Sequence, residues 1–202
     1  MHIDFADKST SQSISPKVSK YQFDTLNCSL EELAVWERIA QNPTIKQQEL
    51  MSATGKSIAD AARKLEEGCV VTAMTRNGRN FGIRISGMGD QWFTAPVNTP
   101  KGLYFTGFCE ADGNPDIGDS AITETVGVGG MSMIAAPGVT RFVGAGGFED
   151  ALRVSNEMQQ ICITHNPNFV IPTWDFKGSP LGIDIRKVVA TGITPLINTG
   201  IA

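Results

Sequence analysis

One stretch of the chain, from Gly107 to Met131, restricts the fold more than any other segment. Its 25 residues include six glycines and five carboxylates but no Lys, Arg or His. Unpaired carboxylates are costly to bury, so this stretch cannot supply the core. Apolar residues recur along it and would anchor it to a scaffold, which predicts a binding loop; the alternative is a solvated turn region. The carboxylates are Glu110, Asp112, Asp116, Asp119 and Glu124, and the anchors are Phe108, Ile117, Ile122, Val126, Val128 and Met131.

The chain is predicted to have three parts. Residues 1–26 are rich in Ser and Lys and show no periodicity, which predicts a flexible arm. Residues 27–68 carry apolar side chains at helical intervals, which predicts a helical segment whose second helix runs from Thr44 to Glu67. Gly55 leaves open that this second helix is two shorter ones. Residues 69–202 are predicted to form an α+β domain that carries the glycine- and acid-rich loop.

Residues 69–105 have the pattern of an antiparallel sheet that leads into the acidic stretch. Arg76-Asn77-Gly78-Arg79-Asn80 has Asn-Gly at its centre, a strong hairpin signal. Phe81, Ile83 and Ile85 then alternate with polar residues and glycine, which predicts a half-buried strand, and a third strand is predicted to run from Trp92 to Val97. The predicted fold class is therefore α+β: a small helical N-terminal segment, then a mixed domain with an antiparallel sheet and packed helices.

The chain after the acidic stretch is predicted to alternate helices with short strands. The predicted elements are a helix over 132–143 with a kink at Pro137, a helix over 148–164, a turn at 166–168, a strand over 169–176, a short helix or strand over 183–189, and a strand over 194–198.

Charge and cysteine content exclude several classes of function. The net charge is −4, from 17 Lys and Arg against 21 Asp and Glu, which gives no attraction to nucleic acid. The four cysteines are far apart and form no CxxC pair, which indicates reduced thiols in a cytoplasmic protein rather than a zinc or redox site. No stretch approaches the length of apolar sequence that crosses a membrane.

Two features of the loop region suggest that it binds an anion. The glycine-rich turn at Gly127, Gly129 and Gly130 precedes a helix-like run, and such a turn points backbone N–H groups at an anion. Arg76 and Arg141 could each offer a guanidinium to a carboxylate or phosphate, or could equally be structural partners of the acidic stretch.

A metal site is the alternative use of the same carboxylates. Asp112-x-Asn114-x-Asp116 has the first ligand spacings of an EF-hand, but the required glycine and glutamate each stand one position late, which excludes that motif. A looser site for Mg²⁺ or Ca²⁺ on Asp112, Asp116 and Asp119 stays open beside ordinary turn chemistry. The pattern requires no cofactor, and Mg²⁺ is the one that it suggests.

The sequence of this region also resembles that of a known protein family. FTAPVNTPKGLYFTGF followed by DGNPDIGDSAITETVGVGGM resembles the YlbE/YahG-like family, long catalogued as a domain of unknown function, and the resemblance extends over about residues 42–202. Members of this family resemble one subunit of a bacterial oxamate carbamoyltransferase. That enzyme converts oxalurate and phosphate to oxamate and carbamoyl phosphate at the end of allantoin breakdown. The resemblance implies that this chain corresponds to about the C-terminal half of a family member.

The implied reaction suggests roles for the loop residues. Carbamoyl transfer needs an oriented amine and donors for a developing oxyanion, rather than an enzyme nucleophile. We expect a small anionic substrate (carbamoyl phosphate, oxamate or oxalurate), with Asp119 or Glu124 as the proton acceptor. The expected substrate-binding residues are Asn98, Thr99, Asn114, Asp116, Ser120, Thr125, Gly127, Gly129, Gly130, Arg76 and Arg141.

A different class of function fits the same residues. The chain could be a non-catalytic assembly subunit of a larger enzyme complex, with the acidic loop paired to a neighbour instead of lining a pocket. Either function implies a homo-oligomer, an association with other carbamoyltransferase subunits, or both.

Overall fold

The computed structural model describes residues 47–114, 116, 121–142 and 144–198, with side chains from residue 53 onward. These residues form an α+β fold, as predicted. The predicted arm and the first predicted helix lie outside the described residues. The elements in chain order are helix α1 (Gln47–Arg63), strands β1 (Val71–Arg76), β2 (Asn80–Ile85) and β3 (Phe93–Pro96), helices α2 (Ile122–Thr125), α3 (Pro137–Phe142) and α4 (Phe148–Gln160), strands β4 (Cys162–Ile171) and β5 (Lys177–Ile183), and helix α5 (Ile185–Thr191), with 3-10 turns at Glu110–Asp112, Gly129–Ala135 and Pro172–Trp174.

Helix α1 runs without a break through Gly55, so the alternative of two shorter helices is wrong. A Cβ at Gly55 would lie 3.1 Å from Cγ2 of both Ile122 and Val126. The missing side chain therefore lets helix α2 approach α1 closely, and tertiary packing offsets the low helix propensity of glycine. The helix ends at Arg63, before the predicted end at Glu67.

The first sheet is the predicted antiparallel meander, in the order β1-β2-β3. Arg76 lies opposite Phe81, and Phe81 lies opposite Ala95. Asn77 closes the β1–β2 turn because its Oδ1 accepts hydrogen bonds from the N–H groups of Arg79 (3.1 Å) and Asn80 (2.7 Å). The Asn-Gly signal in the sequence thus identified this hairpin correctly.

A second, two-stranded sheet pairs β4 with β5 antiparallel, and a bridge joins its flank to the flank of the first sheet. Val70 and Asp184 form an isolated antiparallel bridge. Asp184 then begins helix α5, since its side chain accepts from the N–H of Arg186 at 2.9 Å. The start of β1, the end of β5 and the start of α5 therefore meet at Asp184.

Two apolar clusters hold the elements together. The larger lies between the first sheet, α4 and β5, and the smaller joins the 3-10 turn at Gly129–Ala135 to α4 and the β4–β5 connection. The buried members are Val71, Met74, Ala121, Met131, Met158, Ile161, Cys162 and Ile183 in the first, and Met133, Ile134, Ala151, Ile171 and Trp174 in the second. Ala121 and Met131 come from the acidic stretch, which is thus anchored in the core near its C-terminal end.

Several predicted elements in the C-terminal part were wrong. Helix α4 ends at Gln160, and Cys162 already begins β4. The predicted turn at 166–168 lies inside β4, where the register shifts between Asn166 and Val170. Strand β5 was not predicted because its sequence, KGSPLGI, is rich in the residues that usually interrupt strands. Residues 194–198 form no strand, and the helix predicted for 132–143 is divided into a 3-10 turn and α3.

Candidate functional site

The end of strand β1 places Arg76 against the acidic stretch. Nε of Arg76 lies 3.2 Å from Oδ1 of Asp116, and the two side chains are 7% and 1% exposed. The Gly78 N–H, in the hairpin turn, donates to Oδ2 of Asp116 at 3.0 Å. Nε of Arg76 is buried and, although it lies within ion-pair distance of Asp116, it forms no hydrogen bond with a described residue. We call Arg76, Gly78 and Asp116 the Arg76 corner.

Three more of the predicted binding residues lie at the same end of the first sheet. The Val97 N–H donates to the Arg79 carbonyl at 2.9 Å, so Asn98 and Thr99 follow directly where the chain leaves the hairpin. Both side chains are exposed, as is that of Asn114, two residues before Asp116. Asn98 and Thr99 thus follow the strand end beside the hairpin turn of the Arg76 corner, and Asn114 precedes Asp116 by two residues.

The C-terminal part of the acidic stretch forms a second, separate group of contacts around Glu124. This side chain is buried, and its Oε1 accepts from the N–H of Gly130 at 3.1 Å and of Asn198 at 3.4 Å. Its Oε2 accepts from the Thr123 hydroxyl at 2.8 Å. We call Glu124 with residues 127–130 the Glu124 turn. Neutral donors from the turn and from the C-terminal segment surround this carboxylate.

The glycines of the Glu124 turn lie against other parts of the chain. A Cβ at Gly127, whose φ is +84°, would lie 1.4 Å from the Pro180 carbonyl oxygen in β5. A Cβ at Gly129 would lie 2.3 Å from Oε1 of Glu124, and one at Gly130 would lie 2.3 Å from the Leu196 carbonyl oxygen. The Thr125 hydroxyl, also buried, donates to the Ala121 carbonyl at 2.7 Å. Close packing alone thus explains why these three positions are glycine.

The remaining predicted site residues lie elsewhere. Arg141 is exposed in the last turn of α3, a helix that belongs neither to the Arg76 corner nor to the Glu124 turn. Asp119 and Ser120 lie outside the described residues. Arg84 forms an ion pair with Asp90, outside the acidic stretch, and lies over Trp92, 5.5 Å from the ring centroid. A shallow depression on the outer face of α4 is lined by none of the predicted residues.

The carboxylates proposed for a metal have other partners where they are described. Oδ2 of Asp112 accepts from the Cys109 N–H at 2.8 Å, and this hydrogen bond lowers the pKa of the exposed Asp112 carboxyl. Asp116 is paired with Arg76. No group of three or more His, Cys, Asp and Glu side chains in the described ranges is placed to hold a metal ion. A set that includes Asp119 falls outside those ranges, so the Mg²⁺ site stays a prediction.

One carboxylate of the scaffold was missed by the sequence analysis. Asp184 is buried and accepts hydrogen bonds from Nε and Nη2 of Arg186 at 3.0 and 2.7 Å. These hydrogen bonds hold the pKa of Asp184 well below its usual range. The sequence Asp184-Ile185-Arg186 before a helix is an N-cap signal that could have identified it.

The sequence predicts reduced cysteines and no stretch that crosses a membrane. The three cysteines in the described part of the chain are free, and burial raises the pKa of Cys162 to about 12. Among the described helices, none combines the length and the apolar character needed to span a membrane.

Comparison with known proteins places this α+β domain and its acidic stretch in one family. The chain belongs to the family described as oxamate carbamoyltransferase subunit AllG, whose model matches residues 7–120. It is 53% identical over 193 residues to the oxamate carbamoyltransferase subunit AllG of Escherichia coli K12. The matched region covers 95% of this chain and 44% of that protein. It is 48% identical to the uncharacterized protein YahG of the same organism, over 73% of this chain and 31% of that protein. The family resemblance drawn from the sequence is thus confirmed.

A solved structure shares the fold. A conserved protein of unknown function from Enterococcus faecalis V583 is 40% identical and superposes with a TM-score of 0.69, over 90% of this chain and 45% of that protein. The chain therefore spans less than half the length of each of these relatives. What the complete relatives do can be attributed to this chain only as a proposal.

Proposed function

We propose that this chain forms part of an oxamate carbamoyltransferase-like subunit and binds a small anion beside its acidic stretch. The proposed reaction converts oxalurate and phosphate to oxamate and carbamoyl phosphate in allantoin catabolism, together with other carbamoyltransferase subunits. Family membership supports the class of enzyme. The observation that supports the anion site is the Arg76 guanidinium, buried at the end of β1 beside Asp116, with a buried Nε that forms no hydrogen bond with a described residue.

The Arg76 corner suits the recognition of a planar carboxylate. Asp116 balances the charge of Arg76 and occupies the Nε side, and the Gly78 N–H holds Asp116 in place. The two Nη groups would then offer the ligand a fork of directional donors, which matches the two oxygens of an oxamate or oxalurate carboxylate. Asn98, Thr99 and Asn114 would supply further hydrogen bonds from the same end of the sheet. The buried Nε of Arg76 forms no hydrogen bond with a described residue, and such a donor is costly, which favours an acceptor near the guanidinium.

The chemistry requires that a phosphate oxygen attacks the carbamoyl carbon of oxalurate. The bond from that carbon to the amide nitrogen of oxamate breaks, and the nitrogen takes up a proton. In the reverse direction Asp119 or Glu124 would accept that proton, and Ser120 and the Gly129 amide would add substrate contacts. The hydrogen bonds of Glu124 also suit a role in holding the glycine turn. Asp119 is therefore the preferred proton acceptor of the two.

Ligand binding tests the anion site directly. Thermal unfolding and isothermal titration calorimetry would be measured with oxamate, carbamoyl phosphate and inorganic phosphate, each with Mg²⁺ or with EDTA. A ligand at 100 times its dissociation constant adds about 2.7 kcal/mol of stability, which corresponds to a rise of about 5–10 °C in Tm for a domain of this size. We expect oxamate to give a rise that the Arg76→Lys variant loses, because lysine keeps the charge but not the fork.

Matched variants distinguish oxamate binding at the Arg76 corner from a general effect of positive charge. Arg153 is an exposed arginine on α4 that pairs with Glu157, so Arg153→Gln should leave oxamate binding unchanged. The exposed pair Asn98→Ala and Thr99→Ala should weaken binding without loss of fold. Binding that survives Arg76→Lys would contradict the corner as the site. In the assembled enzyme, full turnover by the Asp119→Asn variant would exclude Asp119 as proton acceptor, and the same measurement on Glu124→Gln tests Glu124.

A further inference from the structure

The hairpin turn between β1 and β2 contains a dipeptide that is chemically labile in a flexible chain. Asn77-Gly78 is the one Asn-Gly pair in the sequence, and Asn77 is exposed. In such a pair the backbone nitrogen of the glycine can attack the side-chain amide carbon of the asparagine, because glycine has no Cβ that hinders the approach. The turn is therefore a candidate site of covalent modification.

The modification would replace the side-chain amide of Asn77 in two steps. First, the Gly78 nitrogen gives up its proton and forms a bond to Cγ of Asn77, ammonia leaves, and a five-membered succinimide ring results. Water then adds to one of the two ring carbonyls, and the bond from that carbonyl to the nitrogen breaks. The products are aspartate and isoaspartate, in which the main chain runs through Cβ. One water is consumed and one ammonia is released, so no oxidant or other co-reactant is needed.

Both reacting groups are held by hydrogen bonds in the folded chain. The Gly78 N–H donates to Oδ2 of Asp116 at 3.0 Å. Oδ1 of Asn77 accepts from the N–H groups of Arg79 at 3.1 Å and Asn80 at 2.7 Å. The nitrogen that must attack thus directs its hydrogen at a carboxylate, whose negative charge opposes formation of an amide anion. These hydrogen bonds must break before the ring can form.

The surroundings of the turn keep this arrangement in place. The Asn77 N–H donates to the Asn80 carbonyl at 3.2 Å, which closes the hairpin. A succinimide ring fixes the rotation about the Cα–C bond of Asn77, so its formation changes the backbone that this hydrogen bond holds. The side chain of Asp116 is 1% exposed and lies beside Arg76, with 3.2 Å between Nε and Oδ1. The acceptor of the Gly78 N–H is therefore itself fixed by burial and by charge.

We propose that Asn77-Gly78 is a modification site whose conversion to isoaspartate is controlled by Asp116. The turn reacts slowly while Asp116 accepts the Gly78 N–H, and it reacts at the rate of an unfolded chain once the Arg76 corner opens. Isoaspartate lengthens the main chain and adds a second carboxylate near Asp116, and like charges repel. The Arg76 corner does not close again after this change. This inference concerns the hairpin turn itself and holds whether or not the corner binds an anion.

Peptide mapping by mass spectrometry tests the proposed site. The parent chain would be incubated at mildly alkaline pH, folded in buffer and unfolded in urea. The gain in mass at Asn77 follows the loss of the amide, and labelling by isoaspartyl methyltransferase identifies isoaspartate. We expect the folded chain to react at least about tenfold more slowly than the unfolded chain, because a hydrogen bond to a charged group must first break.

A variant that lacks the carboxylate tests the role of Asp116. The double variant Arg76→Met and Asp116→Leu removes the acceptor of the Gly78 N–H and leaves no unpaired charge. In its folded state it should react roughly tenfold faster than the folded parent. The control is Asp184→Asn, because Asp184 is also a buried aspartate paired with an arginine, but it accepts from Arg186 instead of the hairpin. This control should react as slowly as the parent.

Three results would overturn the proposal. The first is an equal rate in the folded and the urea-unfolded parent. The second is a double variant that is folded by circular dichroism and reacts no faster than the parent, which would mean that Asp116 does not restrain the Gly78 nitrogen. Amide hydrogen exchange of the parent supplies the third, and it decides the matter if the double variant does not fold. A Gly78 N–H that exchanges as fast as in an unfolded chain contradicts the protection, whereas slow exchange supports it.

Discussion

The acidic stretch holds two buried carboxylates whose surroundings differ. In the Arg76 corner, Asp116 faces a guanidinium and one backbone N–H. In the Glu124 turn, the carboxylate accepts from two backbone N–H groups and a hydroxyl, and no described Lys or Arg forms an ion pair with it. Both arrangements avoid a buried carboxylate without partners, one with a cation and one with neutral dipoles.

This difference separates a candidate ligand site, the Arg76 corner, from a structural junction, the Glu124 turn. In the Arg76 corner a buried cation lies beside Asp116, and its Nε forms no hydrogen bond with a described residue. In the Glu124 turn the Gly130 N–H already donates to Glu124, Gly127 lies against β5, and Gly130 lies against the C-terminal segment. Of the two groups predicted from the sequence to bind an anion, the corner is therefore the better candidate. Substitutions that act differently on the two groups would sharpen or break this comparison.

The largest effect is expected for Gly127→Ala in the Glu124 turn. The new Cβ would lie 1.4 Å from the Pro180 carbonyl oxygen, at a backbone φ of +84°. Backbone atoms cannot move aside as a flexible side chain can, so we expect a loss of more than about 4 kcal/mol and little folded protein. Far-ultraviolet circular dichroism and thermal unfolding would measure it.

The control for this substitution is Gly107→Ala. Gly107 also has a positive φ, +92°, but no atom lies within 4 Å of the added Cβ. It should lose only the conformational cost of about 1–2 kcal/mol. Equal losses in the two variants would mean that the contact with β5 contributes nothing and that the Glu124 turn is not a packing junction.

The second effect is expected for Asp116→Asn in the Arg76 corner. The amide leaves the buried Arg76 charge without a counterion, and breaking a buried pair on one side costs about 3–5 kcal/mol. Urea unfolding at pH 7 would measure this loss. The double variant Arg76→Met and Asp116→Leu removes both charges and should recover most of the stability. A double variant as unstable as Asp116→Asn would show that the loss does not come from the unpaired charge.

The fold could be predicted from the sequence mainly where local signals determine it. The Asn77-Gly78 turn and the alternation after it identified the first two strands, because both signals depend on neighbouring residues. Strand β5 was missed because Gly178 and Pro180 argue against a strand locally. A Cβ at Gly178 would lie 2.1 Å from the Asn166 carbonyl oxygen, so the contact with β4 requires glycine there. This requirement comes from a residue that is distant in sequence.

The candidate site shows the same limit. A glycine-rich turn before a helix predicts backbone N–H groups for an anion, and the same pattern arises when glycines allow two parts of the backbone to approach. Gly127 and Gly130 contact Pro180 and Leu196, each more than fifty residues away. Arg76 and Asp116 were both selected as binding residues from their types and places in the sequence. Their contact across forty residues could not be read from either position.

The third effect compares the two carboxylates directly, through Glu124→Gln. A glutamine keeps the oxygen that accepts from Gly130 and Asn198, and the Thr123 hydroxyl can rotate to accept from its amide. Because no cation is left unpaired, we expect a loss of about 1–2 kcal/mol, below that of Asp116→Asn. Urea unfolding under the same conditions would give both values. A loss from Glu124→Gln as large as that from Asp116→Asn would mean that the charge of Glu124 matters, and the contrast between the two groups would fail.

The smallest effect is expected at Asp184, which has features of both groups. Like Asp116 it is paired with an arginine, and like Glu124 it accepts a backbone N–H, here at the start of α5. Asparagine caps a helix about as well as aspartate, so Asp184→Asn should lose only the ion pair. Arg186 is 73% exposed, and solvent screening limits this loss to about 1 kcal/mol.

The pH dependence of this loss follows from the lowered pKa of Asp184. The hydrogen bonds from Arg186 favour the ionised carboxylate in the folded state. The stabilisation is therefore complete above the pKa of an unfolded aspartate, about 3.9, and it disappears as the pH falls through the lower folded pKa. The stabilities of the parent chain and Asp184→Asn, measured by urea unfolding, should differ by a constant amount between pH 5 and 7 and converge below about pH 4. A difference that does not shrink at low pH would assign the effect of Asp184 to the helix cap, which would group it with Glu124 rather than with Asp116.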